Sequence, residues 1–277
     1  MAKPRPPIPR FPKNAAPPVT YPIGRGRLPE RLRPDGKSAQ VQRSLLPALP
    51  QVSGYQFFAY YKPAQEVGGD YYDFIWLTPK QRRLAILLGD VAGKGVPAAL
   101  LMAKLSSDAP SSLLGEADPA AGIAVLNNLV YRYTSRMDRF VTLAVAVLDT
   151  TAHSLTLVNA GHPAPFIYRR ATGNLEEATT EDAIGLPLGI DKSFAYRSRQ
   201  VQLQPGDCVL LYSDGVTDQR DNQNNHIQQK AIRAAFQEGI CAPRALGRRI
   251  VKILKRHASG QGQSDDITLV CFGRTEG

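Results

Sequence analysis

Short β-type runs joined by connections of hairpin length constrain the fold of this chain more than any other feature. Three such runs follow one another from about residue 55 to residue 91, and three more lie between about residues 140 and 170. Few strands alternate singly with helices, which disfavours a doubly wound parallel sheet. We therefore predict an α+β fold in which antiparallel sheets carry helices on their outer faces. The predicted helices lie at about residues 97–107, 119–136, 227–238 and 243–257.

The first 45 residues hold most of the charge. They contain ten lysine and arginine residues against two acidic ones, a net charge of +8, and the whole chain carries +10. Ten of the 22 prolines lie between Pro4 and Pro34, and a stretch of this composition cannot bury enough apolar surface to offset its ordering entropy. Residues 1–37 are therefore predicted to be a disordered basic tail. Residues 38–277 are predicted to form one folded domain that begins with a helix over residues 38–50.

The charge of the tail has an alternative interpretation, a basic arm that binds an acidic partner, a membrane surface or nucleic acid. The folded region carries a net charge of only +2, however, so we expect no specific nucleic-acid partner. No stretch approaches the roughly 20 apolar residues that span a bilayer, and the first residues lack the apolar core of a secretory signal. The three cysteines are widely spaced, which suits a reducing compartment. The sequence thus predicts a cytoplasmic protein without a transmembrane segment.

The segment ILLGDVAGKGVPAAL at residues 86–100 has the outline of a nucleotide phosphate-binding loop. Its spacing excludes that function, because only three residues separate Gly89 from Gly93-Lys94 and the next residue is Gly95 where serine or threonine is needed. The remaining feature is Asp90, which ends a strongly apolar strand. A lone buried carboxylate costs several kcal/mol unless it is paired or bound to a metal. We therefore expect Asp90 to have a partner.

Three more strand ends carry aspartate. Asp70 follows a Gly-Gly pair, Asp214 lies in a Ser-Asp-Gly turn after an apolar strand, and Asp265 and Asp266 precede the last strand. One Asp-Gly at a strand end is ordinarily a turn, but four such sites in one nearly neutral domain could converge. Converging carboxylates need cations, and an all-oxygen set suits Mg²⁺ or Mn²⁺. Two such ions can polarise a phosphoryl oxygen and hold a hydroxide for in-line attack, which predicts metal-dependent phosphate hydrolysis.

Seven stretches in this order resemble the PPM family of metal-dependent serine/threonine protein phosphatases. The resemblance is strongest to its bacterial branch, the stage II sporulation phosphatase-like domains that dephosphorylate anti-anti-sigma factors in partner-switching pathways. It covers roughly residues 38–273 and implies an αββα sandwich of two stacked antiparallel sheets flanked by helices. The stretches are VQRSLLP, PAQEVGGDYYDF, GDVAGKGVPAALLMA, NAGHPAP, GLPLGI, LQPGDCVLLYSDGVTD and SDDITLV.

The resemblance also implies a site that holds two ions, Mn²⁺ or Mg²⁺. Asp90 would bridge them, Asp70 and the Val91 carbonyl would bind one ion, and the remaining carboxylates the other. A metal-bridging water would then attack the phosphorus, with Asp70, Asp90 and Asp214 as the catalytic set. Whether Asp265 or Asp266 is the direct ligand stays open. The implied metal ligands are Asp70, Asp90, Val91, Asp214, Asp265 and Asp266.

Several other residues keep two interpretations. Better-known family members grip the substrate phosphate with an arginine that has no equivalent here, so Lys94 either approaches the phosphate or is a solvent-facing turn residue. His162 is either a structural turn residue or the general acid for the leaving alkoxide. Asp73 is structural or an outer neighbour of the metals, and Asp218 caps a turn or orients water. Ser213 lacks the context of a nucleophile, and the aromatic residues between 57 and 76 are expected to be core.

The function predicted is a phosphoserine/phosphothreonine protein phosphatase that acts on a signalling protein, such as a phosphorylated anti-sigma-factor antagonist. The alternative is a catalytically weak or inactive module of the same fold that binds phosphoprotein partners. Any sensor or regulatory protein would be a separate chain. The helix that contains Val41 and Leu45, ended by Pro47, would then be a docking or dimerisation element that positions the metal-site turn.

Overall fold

The computed structural model describes residues 36–78, 80, 82–236 and 242–276. Nearly all of the predicted basic tail, residues 1–37, lies outside the described residues. So does Cys241, the second of the three cysteines. Within the part of the chain that the structure describes, no helix is both long enough and apolar enough to cross a membrane. The helices are α1 Lys37–Leu45, α2 Gly95–Leu113, α3 Pro119–Thr134, α4 Gly215–Asp218, α5 Lys230–Phe236 and α6 Pro243–Ala258.

The strands form two sheets. The first has the order β1-β11-β10-β6-β7, and the second has the order β2-β3-β4-β5-β8, with β9 also paired to β5. All pairs are antiparallel except β5 with β8, so the second sheet is mixed at one edge. The strands are β1 Tyr55–Lys62, β2 Tyr71–Trp76, β3 Arg83–Val91, β4 Val141–Asp149, β5 Ser154–Ala160, β6 Phe166–Arg169, β7 Asn174–Glu177, β8 Ile184–Gly185, β9 Ser198–Gln202, β10 Cys208–Tyr212 and β11 Ile267–Arg274.

Three apolar layers give the molecule its αββα order. The middle layer lies between the two sheets, and its side chains come from the facing sides of strands such as β3 and β11. A second layer joins the outer face of the β3 sheet to α2 and α3. A third joins the outer face of the β11 sheet to α5 and α6. This arrangement confirms the predicted sandwich, in which each sheet buries both faces and each helix buries one.

The aromatic residues expected to be core are divided among these layers by strand alternation. Phe57 of β1 packs between the sheets, where it stacks on Phe272, while its neighbour Phe58 points to the opposite side, toward α6. Tyr72 lies between the sheets, whereas Tyr71 packs under α2 and α3. Side chains of successive strand residues point to opposite faces, so one aromatic run serves two layers.

The first helix differs from its predicted bounds. It ends at Leu45 instead of residue 50, because Leu46 has extended backbone before Pro47. The residues that α1 buries are Ala39 and Gln42, whereas Val41 is 63% exposed and Leu45 is 42% exposed. The apolar spacing of Val41 and Leu45 therefore marks an exposed face of this helix, and a polar residue occupies the buried face.

The second helix is longer than predicted. The sequence pattern predicted its end near residue 107, but α2 continues to Leu113. Leu105, Ala109 and Leu113 follow one another at intervals of four residues and are fully buried against the β3 sheet and α3. The continued packing of this stripe stabilises the last turns despite Pro110 within the helix.

Candidate metal centre

Four strand ends bring the predicted carboxylates to one end of the sandwich. Tyr71 of β2 pairs with Gly89 of β3, so Asp70 and Asp90, one residue further along, lie opposite each other. In the other sheet, Tyr212 of β10 pairs with Leu269 of β11, which places Asp214 beside the segment that precedes β11. Strand β11 packs across β2 and β3. Local strand register therefore brings each pair of carboxylates together, and the stacking of the sheets brings the two pairs together.

A hydrogen bond between the sheets fixes Asp70. Its carboxylate is 1% exposed and accepts a hydrogen bond of 2.5 Å from the Thr268 hydroxyl of β11. Burial, followed by the negative charge of Asp90, raises the pKa of Asp70 well above its usual value. Thr268 was not singled out from the sequence, because its contact with Asp70 spans almost 200 positions and depends on how the sheets stack.

The surroundings of Asp90 oppose its negative charge. Burial, together with the negative charges of Asp214, Asp265 and Asp266, raises its pKa to about 8. Burial and the charge of Asp265 likewise raise the pKa of Asp214. A group of carboxylates that oppose one another's ionisation is neutralised either by protons or by bound cations.

Asp266 holds the loop that presents Asp70. Its carboxylate accepts hydrogen bonds from the backbone N–H groups of Ala64 at 2.7 Å and Gly69 at 2.6 Å. The adjacent Asp265 is less buried, and its carboxylate accepts only from the Asp266 N–H and from Lys94. This difference favours Asp265 as a direct ligand and Asp266 as the residue that positions the loop.

The Val91 carbonyl also faces this loop. A side chain at Gly69 would lie 2.9 Å from the Val91 oxygen, so the two backbones approach as closely as glycine permits. The carbonyl therefore lies beside the residue that precedes Asp70. This placement agrees with a ligand set in which Asp70 and the Val91 carbonyl share one ion.

Helix α1 grips the same loop through Gln42. Its amide Nε2 donates to the Gly68 carbonyl at 2.6 Å, and its Oε1 accepts from the Gly68 N–H at 3.0 Å. The Tyr61 hydroxyl donates to the same Oε1 at 3.1 Å. Sequence reasoning missed this contact, although a signal was present: a glutamine three residues after Ala39 lies on the same side of a helix. The clamp connects α1 to a position two residues before Asp70.

Lys94 is part of the centre and does not project freely into solvent. Its Nζ lies 2.8 Å from the Asp265 carboxylate and donates to the Ser264 carbonyl at 2.7 Å. Its positive charge also lowers the pKa values of Asp90 and Asp214, against the larger effects that raise them. The ammonium group thus lies against one oxygen of the Asp265 carboxylate.

His162 is placed as a structural link between the sheets. Its Nε2 donates to the Tyr212 carbonyl at 3.1 Å, which leaves Nδ1 to accept from the Thr142 hydroxyl at 2.8 Å. Burial lowers the pKa of His162 to about 3, although the bond to Tyr212 opposes that shift. With both ring nitrogens engaged and the neutral form favoured, the geometry supports the structural interpretation over the general acid.

The other candidates lie outside the cluster or serve its framework. Asp73 accepts from the Tyr71 hydroxyl at 2.8 Å and from the Phe74 N–H at 2.7 Å, which agrees with a structural role. Asp218 is exposed at the end of α4, 3.8 Å from His226. Ser213 is fully buried, and its hydroxyl donates to the Asp266 carbonyl at 3.2 Å. A hydroxyl held in this way joins β10 to the start of β11.

The candidate donor set fits hard divalent cations by its chemistry. Among the described residues, no three Asp, Glu, His or Cys side chains surround a common point as a metal cage. Three of these carboxylates have partners within the protein: Asp70 contacts Thr268, Asp266 contacts the loop amides and Asp265 contacts Lys94. Carboxylate and carbonyl oxygens are nevertheless the ligands that Mg²⁺ and Mn²⁺ prefer.

Comparisons with known proteins agree with this architecture. A model of the family described as Stage II sporulation protein E (SpoIIE) matches residues 80–275. The phosphoserine phosphatase RsbU of Bacillus subtilis is 29% identical over 239 residues, which cover 86% of this chain and 69% of RsbU. The phosphoserine phosphatase RsbP of the same organism is 24% identical over 168 residues, 59% of this chain and 40% of RsbP.

Solved structures show the same fold. The SiaA-PP2C domain of Pseudomonas aeruginosa superposes with a TM-score of 0.71 at 21% identity, covering 85% of this chain and 94% of that one. RsbX, solved in complex with magnesium, superposes with a TM-score of 0.59 at 14% identity, covering 82% of this chain and 98% of that one. At these identities, the likeness concerns the fold.

Proposed function

The chain belongs to the stage II sporulation protein E (SpoIIE) family and is a phosphoprotein phosphatase of PP2C fold, and we propose that it hydrolyses phosphoserine or phosphothreonine with metal-activated water. One observation carries the mechanism: four strand ends from two sheets bring mutually repelling carboxylates together at one end of the sandwich. The complete carboxylate set argues against the alternative of an inactive phosphoprotein-binding module. PP2C-type phosphatases are metal-dependent, and two Mn²⁺ or Mg²⁺ ions are the cofactors we propose.

In this mechanism, the residues of the chain would hold the metal ions and orient the loop that presents Asp70. Asp90 would hold both ions, with Asp70 and the Val91 carbonyl on one side and Asp214 and Asp265 on the other. The ions would supply a nucleophilic hydroxide and charge stabilisation for in-line attack. Asp266, Thr268 and Gln42 would keep the Asp70 loop in place through the contacts described above.

The metal dependence can be tested directly. We expect phosphate release from a phosphoserine peptide with Mn²⁺ or Mg²⁺, loss of activity in chelator by a factor on the order of 10³, and recovery when metal returns. Colorimetric phosphate detection measures this, with chelator-treated protein in Ca²⁺ as a control for refilling by a hard cation of different geometry. Equal activity with and without chelator would contradict the proposal.

Lys94 provides a second test, because no arginine takes the place of the phosphate-binding residue. We propose that its ammonium leaves Asp265 when metal binds and then contacts the substrate phosphate. For Lys94→Met, we expect Mn²⁺ to bind the metal-free protein about two- to fivefold more tightly, a small gain because both partners are partly exposed. We also expect a higher KM for the phosphoserine peptide.

The matched control is Lys104→Met, which removes an exposed lysine that pairs with Asp108 on α2. Calorimetry measures Mn²⁺ binding and steady-state kinetics measures KM. If Lys94→Met changes neither quantity relative to Lys104→Met, then Lys94 is only a turn residue that contacts Asp265 in the metal-free state.

The partners remain proposals. RsbU and RsbP are phosphoserine phosphatases, and we propose that this chain acts in the cytoplasm on a phosphorylated signalling protein, such as an anti-sigma-factor antagonist. The exposed apolar residues Val41 and Leu45 of α1, with Val96 and Leu100 of α2, support docking of a separate regulatory protein or a second copy of the chain. Because α1 also grips the Asp70 loop, such docking would act on the metal centre.

A further inference from the structure

A groove runs between the exposed side of α6 and the outer face of β1. It has a volume of about 490 Å³, and Phe58 and Tyr60 of β1 form its floor. Four exposed cations of α6 form its wall, and we call this feature the basic groove. These cations are Arg248, Lys252, Lys255 and Arg256.

The basic groove follows from how α6 packs. Leu246, Ile250 and Leu254 of α6 are buried against the outer face of the β11 sheet. Gly247 allows the helix to cross closely over Phe58, because any side chain there would collide with the ring. The apolar stripe and this close crossing fix the helix backbone, so the positions that carry the cations lie along the edge of the aromatic floor.

The positive charge of the basic groove has no carboxylate partner among the residues that the structure describes. Helix α6 contains no acidic residue. None of its four groove cations forms an ion pair with a carboxylate of the residues that the structure describes. The low net charge of the folded region conceals this cluster, because acidic residues elsewhere in the domain balance it in the total.

The basic groove borders a second depression on the side of the segment that precedes β11. This smaller depression shares Tyr60 and Lys255 with it and extends to Lys62 and Gln263. The Gln263 amide donates to the Lys62 carbonyl at 2.6 Å and to the Asp265 carbonyl at 2.7 Å. Gln263 thus connects the far end of this depression to the segment that contains Asp265.

We propose that the basic groove binds acidic side chains that flank the phosphorylated residue of the protein substrate. This rests on the proposed function and adds a substrate preference to it. A concave groove between a helix and a strand admits an extended peptide segment, whereas a flat bilayer would touch only its rim. Cations placed beside a catalytic centre attract an acidic substrate and orient it before the reaction.

The test compares two phosphoserine peptides that differ only in flanking residues, one with glutamates and one with glutamines, together with p-nitrophenyl phosphate. We expect the wild-type protein to favour the glutamate peptide by about tenfold in kcat/KM, through a lower KM, and the preference to fall with salt. For Lys252→Glu/Lys255→Glu we expect this preference to disappear, while hydrolysis of p-nitrophenyl phosphate stays within about twofold of wild type.

The matched control is Lys80→Glu/Arg82→Glu, the same charge change at exposed positions before β3, at the strand end opposite Asp90. Equal kcat/KM for both peptides in wild type, or an equal loss of preference in the control, would overturn the proposal. A second result would also overturn it: the wild-type protein binds a 20-bp DNA duplex or phosphatidylglycerol vesicles more tightly than the glutamate peptide, and Lys252→Glu/Lys255→Glu abolishes that binding while the peptide preference stays intact.

Failure of the proposed function would look different. If no substrate is hydrolysed in the presence of Mn²⁺, the basic groove can still be tested by binding. Fluorescence anisotropy then measures the affinity of the Asp90→Asn protein for each of the two labelled peptides. Preferential binding of the glutamate peptide, lost in the same protein with Lys252→Glu/Lys255→Glu, supports the groove without turnover. Equal binding of the two peptides contradicts it.

Discussion

Asp90→Asn is expected to reduce phosphate release from a phosphoserine peptide by a factor on the order of 10³ or more, because the proposed bridge between the two ions is lost. Burial and three neighbouring carboxylates oppose the charge of Asp90 and raise its pKa to about 8. Asparagine is nearly the same size and carries no charge. The effect should therefore be on metal binding and catalysis, with the fold retained.

The same substitution has an expected effect on stability. A carboxyl group whose pKa is raised by folding does not lower the free energy of unfolding at pH values below its usual pKa of 3.8. The destabilisation grows as the pH rises and is complete above about pH 8. At pH 7 the metal-free Asp90→Asn protein should thus melt at the wild-type temperature or above it. Adding Mn²⁺ should raise the melting temperature of the wild-type protein, since a bound ligand stabilises the folded state. The increase should be much smaller for the variant.

Asp149→Asn is the matched control for Asp90→Asn. Asp149 of β4 lies opposite Arg83 of β3 in the strand register, at the end of the sheet away from Asp90. Its carboxylate accepts hydrogen bonds from the N–H groups of Thr151 and Ala152. Asparagine can still accept these bonds, so activity and Mn²⁺ response should remain those of wild type. Phosphate release and thermal melting with and without chelator measure both variants. Retention of more than a tenth of the activity by Asp90→Asn would contradict the two-metal mechanism.

Gln42→Leu is expected to raise the Mn²⁺ concentration needed for half-maximal activity by about tenfold or more. Leucine cannot bond to Gly68, so the loop that presents Asp70 loses its clamp, and a buried N–H and carbonyl lose their partner. Such a loss costs about 1–3 kcal/mol per unsatisfied group. At saturating Mn²⁺, kcat should recover in part because the ion itself then orders the loop.

Gln40→Leu is the control for Gln42→Leu, since Gln40 lies on the exposed side of the same helix. It adds the same side chain to α1 without touching the loop. Isothermal calorimetry of Mn²⁺ binding separates positioning from simple destabilisation, because a merely structural defect lowers the melting temperature without weakening Mn²⁺ binding to the folded protein. Equal Mn²⁺ affinity for the two variants would show that Gln42 does not position Asp70.

Much of the candidate site could be predicted from the sequence because its carboxylates mark local structure. Asp90 and Asp214 follow apolar strands, and Asp70 and Asp265 precede them, so hydrophobic runs and glycines reveal each one separately. The sequence also excluded the phosphate-binding loop by spacing alone. For Lys94 the sequence left two interpretations open. The local pattern of its turn gives no information on the segment before β11, and Lys94 contacts that segment in the structure.

Other features depended on which element lies against which. The apolar spacing of Val41 and Leu45 correctly indicated a helix, but gave no information on which side would be buried. The counted charge of the folded region suggested neutrality, whereas α6 concentrates its cations beside Phe58 and Tyr60. The net charge sums over all residues of the domain, whereas a charged groove depends on where the charged residues lie on the surface.

The amino-acid sequence by itself determined the order of strands and helices, the layered α+β class and the carboxylates at four strand ends. These follow from hydrophobic period, turn chemistry and the cost of an unpaired charge, which act between near neighbours in the chain. Only the tertiary structure decided that Thr268 supports Asp70, that Gln42 clamps its loop and that His162 ties the two sheets together. Those contacts join residues 26 to 198 positions apart. They arise from the register and stacking of whole sheets, which no local pattern encodes.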